Sequence, residues 1–244
     1  MNLETAQEKI HSARAIAVLT GAGISAESGI PTFRDAQTGY WAKFSAHELA
    51  SPRAYAQDPK LVWDWYAQRF ATCIAAQPNA AHKLLAALEK SQNLTLITQN
   101  VDRLHQRAGS QHVLELHGNI VSARCESCAA IEDLAPNFVP PPQCSKCGSR
   151  MRPNVVWFGE MLPRLILESA WSAFGTCDVA LVIGTSSVVE PAASLGRMAK
   201  ENGAFLIEVN PDVTPLSRFA DVRISSSAVK GLAALLEKTK EPAK

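Results

Sequence analysis

Thr20-Gly21-Ala22-Gly23-Ile24-Ser25-Ala26-Glu27-Ser28-Gly29-Ile30-Pro31-Thr32-Phe33-Arg34-Asp35 follows directly on the apolar run Ala15-Ile16-Ala17-Val18-Leu19. The run reads as a buried parallel strand. The glycines after it permit a tight turn that brings backbone N–H groups close to a phosphate. Gly21, Gly23 and Ala26 satisfy the G-x-G-x-x-G/A spacing of a dinucleotide fingerprint, although such a turn is often only a turn. A hydride-transfer domain should continue into a long helix and a second strand carrying an acidic residue about 20 positions on. Pro31 interrupts instead, and the next forty-odd residues show aromatics and helical pattern without a clear strand, so an ordinary dehydrogenase layout is missing.

Outward from this turn, strands and helices alternate. Strands are predicted over about 14–20, 94–98, 113–116, 178–183, 204–209 and 221–224, and helices over 4–12, 59–73, 80–91, 103–108, 162–174, 192–200 and 228–239. The alternation predicts an α/β fold, a Rossmann-like parallel sheet with helices on both faces. Two interruptions should build a smaller domain beside it, a helical lid module over 31–77 and a ribbon over 119–152. The larger, Rossmann-like domain would then be discontinuous, made of 1–30, 78–118 and 153–244. Segment 33–50, with Tyr40, Trp41 and Phe44, reads as a mobile lid or as packing for the small domain.

At 244 residues, 47% hydrophobic and 19% charged, the chain fits a soluble globular protein of one domain or one domain with an inserted module. A net charge of +1 gives no whole-protein field for nucleic acid or anionic membranes. The polar start Met1-Asn2-Leu3-Glu4-Thr5 is no secretory signal, and no apolar run approaches the roughly 18 residues of a membrane span. A cytoplasmic protein, with no membrane and no specific nucleic-acid partner, is expected.

Cys125, Cys128, Cys144 and Cys147 form C-x₂-C-x₁₅-C-x₂-C. Two such pairs complete a tetrahedral Zn²⁺ site, and because all four ligands are thiolates no position is left for water, so the zinc should be structural. Prolines 136 and 140–142 suggest a loop-rich ribbon with little core of its own. Cys73 and Cys177 read as buried small hydrophobes.

Gln99, Asn100 and Asp102 follow the strand 94–98 at its C-terminal end, where ligands of open α/β sheets gather, though Asp102 also suits a helix cap. His117, delivered by a strand and followed by Gly118, is placed in a crevice with a near-neutral pKa suited to general-base work; a structural histidine is the alternative. Gly184-Thr185-Ser186-Ser187 is a second polar loop at a strand end. Tyr66 and Arg69 share a helix face at i,i+3 and could hold a carboxylate; a packing tyrosine beside a solvated arginine is the plain alternative.

Gly21-Ala22-Gly23-Ile24-Ser25 with Gly29 to Arg34, Thr98 to Asp102, His117-Gly118, the four cysteines, Gly184 to Ser186 and Glu208-Val209-Asn210 together resemble the sirtuin family of NAD-dependent protein-lysine deacylases over nearly the whole chain. The resemblance implies that Gly21, Ala22, Gly23, Phe33 and Arg34 surround NAD. It implies that Gln99, Asn100 and Asp102 hold the nicotinamide ribose and carboxamide pocket, and that Gly184, Thr185, Ser186, Asn210 and Ala228 contact the remainder. His117 would be the general base. In the family's reaction the acyl oxygen of a modified lysine attacks C1′ of the nicotinamide ribose, and the products are lysine, nicotinamide and an O-acyl-ADP-ribose. Val156, Phe158, Gly159 and Glu160 resemble the segment that pairs with an extended substrate backbone.

Tyr66 and Arg69 match the Y-x-x-R pair of the class III, prokaryotic-type members that remove succinyl and malonyl groups, and Ala50 aligns with a small pocket residue. Desuccinylation and demalonylation with deacetylation retained, in a monomer acting on acylated-lysine proteins with NAD and one structural Zn²⁺, are the expectations. ADP-ribosyl transfer to protein, and a non-enzymatic zinc-ribbon module that only binds NAD, are the alternatives.

Overall fold

The structure, a computed structural model, describes residues 2–32 and 44–236. Phe33 and Arg34, and the Tyr40 and Trp41 of the expected lid, lie outside the described residues. In chain order the elements are α1 (Leu3–Ser12), β1 (Ile16–Thr20), α2 (Ala46–Leu49), α3 (Pro52–Gln57), α4 (Pro59–Ala75), α5 (Ala80–Ser91), β2 (Leu94–Thr98), α6 (Leu104–Arg107) and β3 (Val113–Glu115). Then follow β4 (Gly118–Cys125), β5 (Ile131–Asp133), β6 (Met151–Val155), α7 (Arg164–Thr176), β7 (Val179–Ile183), α8 (Ser194–Glu201), β8 (Phe205–Val209), β9 (Val222–Ile224) and α9 (Ala228–Leu236).

Six parallel strands form one sheet in the order β3-β2-β1-β7-β8-β9. The chain winds outward from β1 in one direction and from β7 in the other, so the topological switch falls between these two neighbours. Side-chain alternation sorts the strands between two apolar layers. Ile16, Val18, Val179, Leu181 and Ile183 pack with α1, α5 and α9, whereas Ala17, Leu19, Ala180 and Val182 pack with α7 and α8. Both faces are therefore covered, which explains why β1, β7 and β8 are apolar or small at nearly every position and buried throughout.

A third core unites the inserted segments. Trp63, Trp65, Tyr66 and Phe70 of α4 pack with Ile120, Ala123, Cys125 and Met151 of the antiparallel sheet β5-β4-β6. The ribbon has no separate core of its own: β4 runs for eight residues, and the ribbon's apolar residues complete a core that the helical segment begins. The described part of the expected lid, from Phe44 onward, is more regular than expected. Ser51 caps α3 by accepting from Ala54 N at 3.1 Å, and Pro52 occupies its first turn. Asp58 and Pro59 start α4 in the same way.

The glycine turn is held against β7. Gly21 N donates to Ile183 O at 3.0 Å and Gly23 N to Gly184 O at 2.8 Å. A Cβ on Gly21 would stand 2.7 Å from Thr185 Cα, one on Gly23 2.8 Å from Gly184 Cα, and one on Gly184 2.6 Å from Ile24 N. Gly184 also has φ +59°, a conformation that disfavours any Cβ. Gly203 shares a positive φ, +92°, but nothing lies within 4 Å of its Cβ position. Gly203→Ala should therefore lose only the backbone preference, on the order of 1 kcal/mol. Gly184→Ala adds a backbone clash and should lose at least about 3 kcal/mol. Urea unfolding of the two variants checks this, and equal losses would show that the interlock does not matter.

Candidate active site

Register places the ends of three strands level, with Thr20 beside both Thr98 and Ile183. Gly21, Gln99 and Gly184 thus leave the sheet side by side at its switch point. The turn after β1 is two 3₁₀ turns, Ala22–Ile24 and Ala26–Ser28, rather than a long helix. Among the described residues the backbone N–H groups of Ala22 and Ser186 have no protein acceptor, and both belong to half-buried residues. Unpaired donors at the ends of β1 and β7 suit a diphosphate. Ala228, at the start of α9, is buried against the core at the same end of the sheet.

Gln99 ties the site together. Its Nε2 donates to Thr185 Oγ1 at 2.9 Å, and its carbonyl lies 2.9 Å from His117 Nδ1. A carbonyl can only accept, so His117 carries its proton on Nδ1 and presents Nε2 with a free lone pair. Burial pushes the His117 pKa down, against the Gln99 carbonyl, which pushes it up. The neutral ring is the form a general base needs. His117 sits in the tight turn between β3 and β4, and a Cβ on Gly118, at φ +71°, would stand 2.2 Å from Asn154 O. Only glycine lets β6 approach closely enough for Val156 N to donate to His117 O at 2.9 Å.

Asn100 and Asp102 are buried. Asn100 Nδ2 donates to Gly21 O at 3.1 Å and Ser25 Oγ at 3.2 Å, and Ser25 Oγ donates to Asp102 Oδ2 at 2.7 Å. Asp102 Oδ1 also accepts from Leu104 N at 2.9 Å, so the capping role coexists with the site. Burial raises the Asp102 pKa, opposed by the bonds from Leu104 and Ser25 and by the charges of Arg107 and Arg69. On β8's side, Asn210 Nδ2 donates to Thr185 O at 2.7 Å.

The acyl-pocket candidates also converge. Ala50, Tyr66 and Trp157 are buried in the third core with Phe158 packed against it. Phe158 N donates to Ala50 O at 2.9 Å. Trp157 Nε1 donates to Tyr66 Oη at 2.9 Å. Burial pushes Tyr66 up to about 12, against the opposing field of the Arg69 guanidinium. Arg69 is half-buried, 5.0 Å from the Trp65 ring centroid. Glu160 forms a bidentate pair with Arg152, at 2.5 and 2.9 Å, and accepts from Trp157 N at 2.8 Å. Its carboxylate thus ties Arg152 to the loop 156–160. The N–H groups of Val156, Phe158 and Glu160 are bonded within the chain. That leaves Gly159 N–H, among the described residues, without an acceptor.

The four Sγ atoms of Cys125, Cys128, Cys144 and Cys147 lie within 4.8 Å of one another. Four converging thiolates, in two C-x-x-C turns, are the donor set of a structural zinc.

A profile of the Sir2 family matches residues 21–191. The chain belongs to the Sir2 family. It is 52% identical to an NAD-dependent protein deacylase of Thermus thermophilus, covering 98% of this chain and 96% of that protein. It is 53% identical to one of Deinococcus radiodurans, covering 97% and 99%. A solved Sir2 homologue in complex with NAD superposes with a TM-score of 0.91 at 47% identity, over 96% of this chain and 92% of that one. A Sir2 complex with a p53 peptide and NAD⁺ superposes at 0.87 with 33% identity, over 97% and 98%.

Sequence reasoning passes over part of this Sir2 site. Behind Ser25 lie two fully buried histidines, His82 and His105, with ring centroids 4.9 Å apart. His82 faces Ser25 Oγ and Asn79 Oδ1, and His105 Nε2 lies 2.9 Å from Thr20 Oγ1. Burial pushes His82 down to about 4 and His105 to about 3. A histidine with a depressed folded pKa binds its proton more readily when unfolded. Stability is thus full above the unfolded value near 6.5 and is lost as pH falls from there toward the folded values. Each unit of depression contributes about 1.4 kcal/mol, so the pair makes several kcal/mol of stability pH-dependent. Urea unfolding between pH 8 and pH 4 should show this loss, with a shallower slope for His105→Gln. Identical slopes would overturn the assignment.

Proposed function

We propose that this Sir2 protein is an NAD-dependent protein-lysine deacylase that removes succinyl and malonyl groups from lysine as well as acetyl. One observation carries the acyl reading. A buried, neutral tyrosine and a guanidinium share one face of α4, and the field of Arg69 is felt at both Tyr66 and Asp102. A positive charge so placed has no use for a neutral acetyl group, whereas a terminal carboxylate would take charge-assisted bonds from both side chains. Ala50, small and buried beside them, leaves room for the longer chain.

Among the described residues, Ala22, Ser186, Gln99, Asn100, Asp102 and Asn210 would hold NAD, with Gly21, Gly23, Gly184, Thr185 and Ala228 around it. When bound, NAD supplies a glycosidic carbon able to accept the acyl oxygen. His117 Nε2 would take a proton from a ribose hydroxyl, its ring oriented by Gln99. An acylated-lysine protein would lie in extended form along residues 156–160, using Gly159 N–H. We assign the protein to the cytoplasm, because paired C-x-x-C thiols hold metal in a reducing compartment, and propose separately that it acts as a monomer. The boundary between the NAD-binding part and the smaller zinc-bearing part is drawn at residues 30/31, 77/78, 118/119 and 152/153. No helix among the described residues is long and apolar enough to cross a membrane.

Peptides of one sequence carrying acetyl-, malonyl- or succinyl-lysine, incubated with NAD and read by mass spectrometry, test the reading. All three groups should leave as O-acyl-ADP-ribose, and the mass of ADP-ribose retained on peptide or protein would instead indicate ADP-ribosyl transfer. Tyr66→Phe with Arg69→Met should lower desuccinylation at least about tenfold more than deacetylation, as loss of charge-assisted hydrogen bonds requires. An unchanged ratio removes the pocket assignment. In a separate measurement, His117→Tyr should abolish turnover of every acyl group while NAD still raises the melting temperature; retained turnover would remove it as the base.

A further inference from the structure

The Tyr66 hydroxyl is half satisfied. Its oxygen accepts from Trp157 Nε1 at 2.9 Å, and among the described residues its own proton has no acceptor. Tyr66 is only 3% exposed and Trp157 2%, so water does not readily fill the gap. A buried donor without an acceptor is costly, and a hydroxyl offers one donor with two acceptor positions. The indole N–H fills one acceptor position and so directs the proton away from the indole.

Trp157 is itself held firmly. The Arg152 guanidinium lies 3.5 Å from the centroid of its ring, and Arg152 is fixed by its bidentate pair with Glu160. Glu160 in turn accepts from Trp157 N, closing the loop on itself. The Tyr55 ring, 5.1 Å from that of Trp157, packs on it as well.

We propose that Trp157 is a specificity-determining, positioning residue for the dicarboxylic acyl group: it occupies the Tyr66 oxygen and thereby points the phenolic proton at the acyl carboxylate beside Arg69. This deepens the function proposed above and rests on that reading of Tyr66 and Arg69. A hydroxyl that accepts a hydrogen bond also becomes a better donor, so the indole strengthens the bond it directs. For an acetyl group, which ends in a methyl, the direction of that proton has no bearing.

The test compares kcat and KM for succinyl- and acetyl-lysine peptides of one sequence in four proteins: wild type, Trp157→Phe, Tyr66→Phe and the double variant. Trp157→Phe keeps an aromatic ring and deletes the N–H. It should raise KM for the succinyl peptide several-fold more than for the acetyl peptide, and it should add nothing once Tyr66 is Phe. A loss shared equally by both acyl groups would mean that Trp157 only packs, and would overturn the inference. If Tyr66→Phe and Arg69→Met themselves leave the succinyl-to-acetyl ratio unchanged, the reading of the pocket fails and the inference falls with it. If they lower the ratio and Trp157→Phe does not, the inference alone fails. Should Trp157→Phe not fold, the indole N–H resonance of Trp157 in ¹⁵N-labelled wild-type protein decides. It should move on adding succinyl-lysine peptide and stay in place with acetyl-lysine peptide; no difference between the two overturns the proposal.

Discussion

Two backbone turns at the sheet's switch point approach more closely than any side chain allows. Gly21 and Gly23 on one side and Gly184 on the other interlock with Cβ positions under 3 Å from opposing backbone. This contact sets how the ends of β1 and β7 diverge, and the unpaired N–H groups of Ala22 and Ser186 in the proposed site hang on those ends. The glycines therefore serve two purposes. They free N–H groups for a phosphate, and they let the two loops that carry those groups sit against each other.

From that contact a line of hydrogen bonds runs to the base. Thr185, next to Gly184, receives Gln99 Nε2; Gln99 receives His117 Nδ1; His117 O receives Val156 N. The phosphate end, the base and the proposed peptide-binding loop are thus joined by three consecutive contacts, each between different elements. A second line runs beneath it. His105 meets Thr20, Thr20 donates to Thr98, and Thr98 accepts from Asn100 N. These bonds satisfy groups that the end of a parallel sheet would otherwise bury unpaired.

Much of this is legible in the sequence because it is carried by local chemistry. Apolar runs that alternate between two buried layers mark the strands, and two C-x-x-C turns mark the metal cluster. Helices α2 and α3 escape the sequence reading although Ser51-Pro52 is a helix start, because the aromatics before them suggest irregular chain. The ribbon's contribution to a core escapes it for a different reason. Ile120, Ala123 and Met151 show no long apolar run, and their burial depends on Trp63 and Phe70, which lie far earlier in the chain. Pairings such as Trp157 with Tyr66, or His82 with His105, likewise join residues whose spacing carries no periodic signal. Gly118 reads in the sequence as exposing His117, whereas its stronger constraint is the 2.2 Å approach of Asn154 O.

Burial also assigns the proton roles. The same removal from water lowers the pKa of His117 and raises that of Tyr66, because in each case it disfavours the charged form. The outcomes are chemically opposite. A neutral imidazole whose Nδ1–H is committed to Gln99 can only accept at Nε2, and a neutral phenol whose oxygen is engaged by Trp157 is left to donate. Had either group remained solvated, its role would be set by pH and by fluctuating water. Tyr66 lies inside the core formed by α4 and the ribbon, where its role is set by geometry, and that is why the small domain does more than carry the zinc: it shields this phenol from water.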